Sequence, residues 1–311
     1  MRRIAPQRGV ALIIALLVVA LATVLIAGLT DRGELVAART RNALRTSQAD
    51  AYARGLEQYA ARLLLKDLDE GRSDFRDDIW SVPMPPQDVP GGTISATVRD
   101  LDGCFNVNNV WGSRHAAVWQ QRFAALLKAL RLDPTLLDVV VDWLDGDLEP
   151  GGISRGVGAE DAYYAGVTPA YKTANRLFEH VSELRLLQGV DARVYAALAP
   201  HVCALPRNST LNINTATIPV LQSLDPDITE ELARRLWNDG KATFKDVLEL
   251  QQELQRANVG LGPEFHLGLV TYSDYFQVRG DVVLDGLEFH PVSVLTRFNG
   301  VRVLQRSRGS Q

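Results

Sequence analysis

Twenty consecutive residues, Val10 to Leu29, carry no charge. At about 1.5 Å per residue a helix of that length spans roughly 30 Å, enough to cross the hydrocarbon core of a bilayer. Arg2, Arg3 and Arg8 precede the run, and basic residues hold their end of such a helix in the cytoplasm. The main body is then placed outside. The run is long for a removable signal peptide, although Ala20-Leu21-Ala22 and Ala27-Gly28 leave cleavage open. From Asp31 to about Leu68 there is no proline, and Tyr52, Leu56, Tyr59 and Leu63 recur at steps of four, three and four. That spacing predicts one apolar helix face, with Arg41, Arg45, Asp50, Arg54, Glu57 and Arg62 on the polar face. Membrane segment and amphipathic segment are expected to form one continuous helix.

Gly71, Pro83, Pro85, Pro86, Pro90, Gly91 and Gly92 predict an irregular linker. Thr93–Asp100 alternates as a strand does, with Ile94, Ala96 and Val98 on one face. A mostly helical stretch follows, with helices expected at His115–Leu130, Pro134–Leu144, Ala170–Phe178, Asp191–Ala199, Thr215–Leu224, Ile228–Trp237 and Phe244–Leu254. The period then returns to two, with strands expected at Phe265–Val270, Tyr275–Leu284, Leu287–Arg297 and Val301–Gln305. Turns are read at Gly280, Asp285-Gly286 and Asn299-Gly300, the last a strong hairpin signal. Gly309-Ser310 suggests a short loose tail. One strand near residue 95 cannot make a sheet alone. Its simplest partners are the late strands, which makes the helical stretch an insertion within one α/β domain.

Charge changes this picture little. The chain has 33 Lys and Arg against 37 Asp and Glu; with the three leading arginines set aside, 30 basic residues face 37 acidic ones. No general positive field for nucleic acid exists. Cys104 and Cys203 are either one disulfide or two buried thiols.

Asp142-Trp143-Leu144-Asp145-Gly146-Asp147-Leu148-Glu149-Pro150-Gly151-Gly152 ends a helix in a knot of carboxylates, and Glu160-Asp161 follows a loop containing Gly156 and Gly158. Carboxylates at alternate positions can aim oxygens at one centre, as calcium requires. The start resembles an EF-hand loop but fails as one, with Pro150 at the sixth position and Gly156 at the twelfth. A metal site here needs closure by Glu160 or Asp161. The alternative is a plain exposed acidic loop.

Asn106-Val107-Asn108 and Asn212-Ile213-Asn214 repeat an Asn-x-Asn core. In the second copy Asn214 or Thr215 is expected to cap the next helix and Asn212 to hold the turn. Leu211–Ala216 before two short helices resembles the start of a helix-hairpin-helix unit, but the hairpin Leu224-Asp225-Pro226-Asp227 is acidic, which argues against DNA. His115, His180, His201, His266 and His290 form no metal pattern, and no nucleophile elbow, zincin or P-loop motif occurs. No enzyme is expected. Trp111, Trp119 and Trp143 are expected in a core or interface.

Gln7-Arg8-Gly9 followed by Val10-Ala11-Leu12-Ile13-Ile14 resembles a class III leader of the kind removed by prepilin peptidase. The resemblance implies cleavage after Gly9 and an N-methylated Val10. Most pilins and pseudopilins carry glutamate at the fifth mature position, here Ile14. With that departure, the acidic segment and the insertion, the whole chain resembles the minor pseudopilin K family of type II secretion systems. The family implies a pilin-like fold, a long N-terminal helix packed on a small antiparallel sheet with a large mostly helical insertion. It implies a leader at 1–9, a membrane segment at 10–29, sheet-domain pieces at 30–110 and 266–311, and the insertion at 111–265. Asp142-Trp-Leu-Asp145-Gly-Asp147 and Gly158-Ala-Glu160-Asp161-Ala-Tyr163-Tyr164 are similar to the family's calcium-binding segment. Asp142, Asp145, Asp147, Glu160 and Asp161 are the implied ligands, Glu149 a weaker one, with carbonyls near Leu148 and Gly151 as further oxygens. The implied role is a cap at the pseudopilus tip that helps start assembly for export of folded periplasmic proteins. Its implied partners are minor pseudopilins I and J, with H beneath, and the secretin or secreted substrates. Its implied place is the bacterial inner membrane, with one span and the body in the periplasm. A minor pilin of a type IV pilus and an anchored metal-dependent hydrolase are the alternatives.

Overall fold

A computed structural model describes residues 8–151 and 158–308. Residues 1–7 of the expected leader, Gly152 and Gly156 of the acidic loop, and the Gly309-Ser310 tail lie outside the described residues. Two units are compact in themselves, one up to Arg54 and one from Gly55 onward. The first is helix only, the greater part of α1 (Arg8–Glu70). Its apolar side chains from Val10 to Leu29 are exposed, and the helix is long and apolar enough to cross a membrane. Thr23 and Thr30 donate their hydroxyls to the carbonyls of Val19 and Ile26 at 2.7 and 3.0 Å. No hydroxyl hydrogen is thereby left to a lipid phase that cannot accept it.

In the second unit the strands are β1 (Met84–Val89), β2 (Gly92–Asp100), β3 (Phe105–Asn106), β4 (Val202–Cys203), β5 (Leu211–Asn212), β6 (Leu269–Val270), β7 (Tyr275–Leu284), β8 (Leu287–Phe289), β9 (Pro291–Thr296) and β10 (Arg302–Arg308). The antiparallel sheet runs β1-β2-β7-β9-β10, with β8 also on β7. Three features depart from the sequence reading. The proline-rich linker contains β1. Prolines cannot donate to a ladder, and β1 tolerates Pro85 and Pro86 because it is an edge strand. Gly280 is no turn but the middle of β7, where a Cβ would lie 2.7 Å from Leu56 Cδ1. The expected strand Leu287–Arg297 is divided at Pro291, which has no N–H to give, although its register on β7 continues unchanged from β8 to β9.

Ala60 and Leu64 of α1 pack on Trp80, Val98, Phe276, Val278 and Leu295 of the sheet side. The buried stripe of α1 is turned from the expected one: Tyr59 is 41% exposed and Glu57 is buried. Glu57 is held inside by Arg306, whose Nε and Nη2 reach its two oxygens at 2.7 and 2.8 Å, and by the Ser293 hydroxyl at 2.6 Å. A bidentate guanidinium compensates the burial of that carboxylate.

The chain leaves the sheet after Asp100 and returns at Tyr275, next to Phe276, the ladder partner of Asp100. Between them lies a head built on α2 (Ala116–Ala129), α3 (Leu136–Leu144), α4 (Asp161–Tyr164), α5 (Ala192–Leu198), α6 (Ile218–Gln222), α7 (Glu230–Trp237) and α8 (Val247–Arg256). The expected helix at Ala170–Phe178 is absent. Its backbone is spent otherwise: Thr173 N–H goes to Asp161, Phe178 N–H goes to Asn108, and Asn175 is left-handed at φ 48°. The expected strand Phe265–Val270 shrinks to β6, which runs parallel to β5 within the head rather than joining the main sheet. Trp119 and Trp143 are core; Trp111 is 37% exposed.

The head is a duplication held by the two Asn-x-Asn motifs. Asn106 Oδ1 accepts from Asn108 N–H at 3.1 Å, and Asn212 Oδ1 from Asn214 N–H at 3.0 Å. Asn108 then donates to Phe178 O and accepts from Phe178 N, at 3.0 and 2.9 Å. Asn214 does the same with Phe244, at 3.0 and 2.8 Å. Each amide pairs with a backbone as a strand neighbour would, so Asn214 does not cap α6. Thr215 does not either; its hydroxyl bonds Asp100. Each half also carries a parallel ladder, β3–β4 or β5–β6.

At the junction with the sheet, Asp102 Oδ2 accepts from Asp274 and Tyr275 N–H at 2.6 and 2.8 Å. Ser273 binds Asp74 and Asp100, and Arg297 binds both Asp67 and Asp74. These buried polar groups tie the head to the sheet, while Asp74 Oδ1 and Asp102 Oδ1 have no hydrogen-bond partner among the described residues.

Candidate metal centre

Helix α3 is buried along its whole length; Asp142 lies in its last turn and Asp145 follows it, both buried. Asp142 is buried, and its Oδ1 accepts from Gly151 N–H at 3.4 Å. Gly158 crosses Asp142 so closely that a Cβ would lie 1.9 Å from Asp142 Oδ2, and its φ of +140° also favours glycine. Gly158 is therefore held against the end of α3, two residues before Glu160, the residue that precedes α4.

Asp145, Asp147 and Glu160 each place one carboxylate oxygen within 4.8 Å of the other two. Asp145 and Glu160 are buried and Asp147 is exposed. Glu160 Oε2 accepts from Thr173 Oγ1 at 3.0 Å, while Glu160 Oε1 and Asp145 Oδ1 are buried with no hydrogen-bond partner among the described residues. Burial, reinforced by Asp147 and Asp142, pushes Asp145 up to about 6. Burial, reinforced by Asp142, Asp145 and Asp147, pushes Glu160 up to about 7. Buried oxygens without donors, crowded by like charge, fit a hard cation with oxygen ligands.

Asp161 is turned elsewhere. It accepts from Thr173 N–H at 3.0 Å and pairs with Lys172 at 3.3 Å; those contacts, the backbone donor first, hold its carboxyl below the usual range. Glu149 is exposed, and its N–H goes to Asp147 Oδ1 at 2.9 Å. Two participants carried no spacing signal. Thr173 steadies Glu160, and the Asn175 amide lies 3.5 Å from the Asp147 carbonyl, its Oδ1 buried and unpartnered. Beneath the loop Trp143 packs on Tyr164 and Phe178, with ring centroids 5.6 and 6.1 Å away.

A second carboxylate group, Asp67, Asp74 and Asp78, is equally close-set. It already holds a cation, the Arg297 guanidinium on Asp67 and Asp74.

A long apolar-tipped helix on an antiparallel sheet, with a duplicated head between its central strands, defines a membrane-anchored pilin-like subunit. Known families narrow this. The profiles for type II secretion system protein K match residues 103–207 and 211–263, which divide where the two halves of the head divide. Type II secretion system protein K of Pseudomonas aeruginosa is 35% identical over 97% of this chain and 93% of its own length. Its counterpart from Klebsiella pneumoniae is 34% identical over 94% and 93%. A chain in the crystal structure of the GspK-GspI-GspJ complex from enterotoxigenic Escherichia coli superposes with a TM-score of 0.75 and 26% identity, over 88% of this chain and all of that one. The chain belongs to the type II secretion system protein K family. It is a minor pseudopilin that serves in assembly of the pseudopilus tip, a structural subunit and not an enzyme. It spans the inner membrane once, with its large body on the periplasmic side. The type IV pilin and hydrolase alternatives fall away.

Proposed function

We propose that this chain caps the pseudopilus tip in complex with minor pseudopilins I and J, with H beneath them. The observation that carries this is its likeness to a chain solved in a complex of K, I and J. Two features of this chain agree. The head at residues 103–263 would crowd every turn of a thin fibre but not its end. Ile14 brings no carboxylate into the bilayer, where an unpaired one is costly, and so offers no partner to the amine of a subunit ahead. The leader reading goes with this: cleavage after Gly9 exposes Val10, which a methylated N-terminal peptide mass would reveal. Contacts with secretin or substrate follow from a place at the tip. Mixing the purified periplasmic body with I and J on a sizing column tests the proposal. Co-elution of all three is expected, and three separate peaks would refute it.

The same reading assigns calcium to the acidic loop, with Asp142, Asp145, Asp147 and Glu160 as carboxylate ligands and Asn175 as a further oxygen. The unpartnered buried oxygens of Asp145 and Glu160 support it. Asp161 supports the site through Thr173. Bound calcium would staple the loop, so ion binding and local folding are linked. Titration calorimetry on EDTA-treated protein should show calcium binding; no heat and no change in melting would remove calcium from the account.

A further inference from the structure

Cys104 and Cys203 are the two cysteines of the chain, and the fold brings them together. Cys104 directly precedes β3 and Cys203 ends β4, in the parallel ladder where Cys203 pairs with Asn106. Cys203 Sγ lies 3.3 Å from the Leu101 carbonyl and 3.6 Å from that of Cys104. Both are buried in a small cluster with Leu101 and Leu205. The body that holds them stands in the periplasm, an oxidising compartment.

We propose that Cys104 and Cys203 are joined by a disulfide in the exported protein. Cys203 Sγ already lies against the Cys104 backbone, and a disulfide requires the two sulfurs to close to roughly 2.0 Å. A cleft of about 460 Å³ between sheet and head is lined by both cysteines with Arg99, Pro200 and Arg279. Arg99 Nη2 stands 3.7 Å from Cys104 Sγ. The hydrogen bond from Cys203, with that guanidinium, favours the Cys104 thiolate, while burial pushes Cys203 up. Cys104 is therefore the attacking sulfur. Its thiolate displaces one sulfur of a periplasmic protein disulfide, giving a mixed disulfide. Cys203 then attacks Cys104 Sγ and releases the oxidant as a dithiol. Two electrons pass to the oxidant, and the two protons lost from Cys104 and Cys203 end on its sulfurs.

The bond would tie positions 99 residues apart, with the whole acidic loop inside the closed ring. It would join the strand that enters the first half of the head to the strand that completes it. Closing so long a ring restricts the unfolded chain.

The test uses the full chain extracted from membranes, denatured, treated with N-ethylmaleimide before reduction, and weighed intact. No adduct before reduction and two after it are expected, with peptide mapping linking Cys104 to Cys203. Two adducts before reduction overturn the proposal. On folded protein, a reductant should lower the melting temperature of the wild type and leave that of Cys104→Ser/Cys203→Ser unchanged. An equal drop in both would overturn the stapling role, and the mass readout on wild type stands even if the double variant folds poorly.

Discussion

The two halves of the head share a clasp but not a length. Asn108 grips Phe178 across 70 residues, whereas Asn214 grips Phe244 across 30. The likeness continues past the clasp: Phe178-Glu-His-Val181-Ser-Glu183-Leu184 parallels Phe244-Lys-Asp-Val247-Leu-Glu249-Leu250. In both, the glutamate turns back to backbone N–H groups at the start of a helical segment, the short 3-10 helix Val181–Leu186 in the first half and α8 in the second: Glu183 to Glu179 and His180, Glu249 to Lys245. The second half shows that clasp and helix suffice to close such a unit. The acidic loop lies in the extra length of the first half, so the proposed metal centre would be an addition to a frame that the second half builds without it.

If the clasps are equivalent, breaking either should cost the same, and this is the largest effect expected. Asn108→Ala or Asn214→Ala leaves a phenylalanine N–H and C=O buried and unsatisfied, at about 1–3 kcal/mol each. Either variant should lose about 2–5 kcal/mol in denaturant unfolding. A silent Asn214→Ala beside a damaging Asn108→Ala would end the comparison.

Calcium should separate the halves. With EDTA, amide exchange should quicken across Asp142–Tyr164 and stay unchanged at Asn214 and Phe244. Equal loss of protection in both halves would mean the ion supports the whole head rather than one loop.

Much of this frame was legible in the chain. The alternation of Tyr275–Leu284 marks both ends of β7, although the glycine at 280 reads as a turn inside it, and most helices fall within a few residues of their expected places. The acids at 142, 145, 147 and 160 were visible because they are dense and closely spaced. Thr173 and Asn175 were not, since they approach from a segment that imitates a helix while its N–H groups go to Asp161 and Asn108. Glu57 was misplaced because a carboxylate reads as surface until Arg306, 249 residues away, is known to meet it. The Phe-x-x-Val-x-Glu-Leu repeat stands in the sequence, but the differing clasp lengths give it no fixed period.

Acidity sharpens the contrast further, with a smaller effect. In ion-free protein Glu160 and Asp145 titrate near 7 and 6, above their ordinary 4.5 and 3.8. A carboxyl raised by folding stabilises the protonated fold; that contribution is complete below the unfolded value and is lost as pH rises through the folded one. The EDTA-treated protein should therefore melt lower at pH 8 than at pH 5. Asp67, Asp74 and Asp78, also raised to about 6 by burial, act in the same direction. Asp145→Asn/Glu160→Gln isolates the loop and should flatten part of that slope. Calcium competes with the same protons, so its affinity should weaken as pH falls from 7 to 5, and the two melting curves, with and without calcium, should converge in acid.

The smallest effect concerns Asp161, which separates a ligand from its support. Its carboxylate holds Thr173 N–H at 3.0 Å, and Thr173 holds Glu160 Oε2 at 3.0 Å. Asp161→Asn keeps an oxygen for Thr173 but loses the charge that favours Lys172. A change in one hydrogen bond of about 0.5–1 kcal/mol corresponds to roughly two- to fivefold in calcium affinity. Asp145→Asn removes charge from a buried oxygen of the cluster itself and should cost far more. Calorimetry on both variants decides between the roles: if Asp161→Asn abolishes binding as Asp145→Asn does, Asp161 swings onto the ion, and its hold on Thr173 is a feature of the ion-free loop alone.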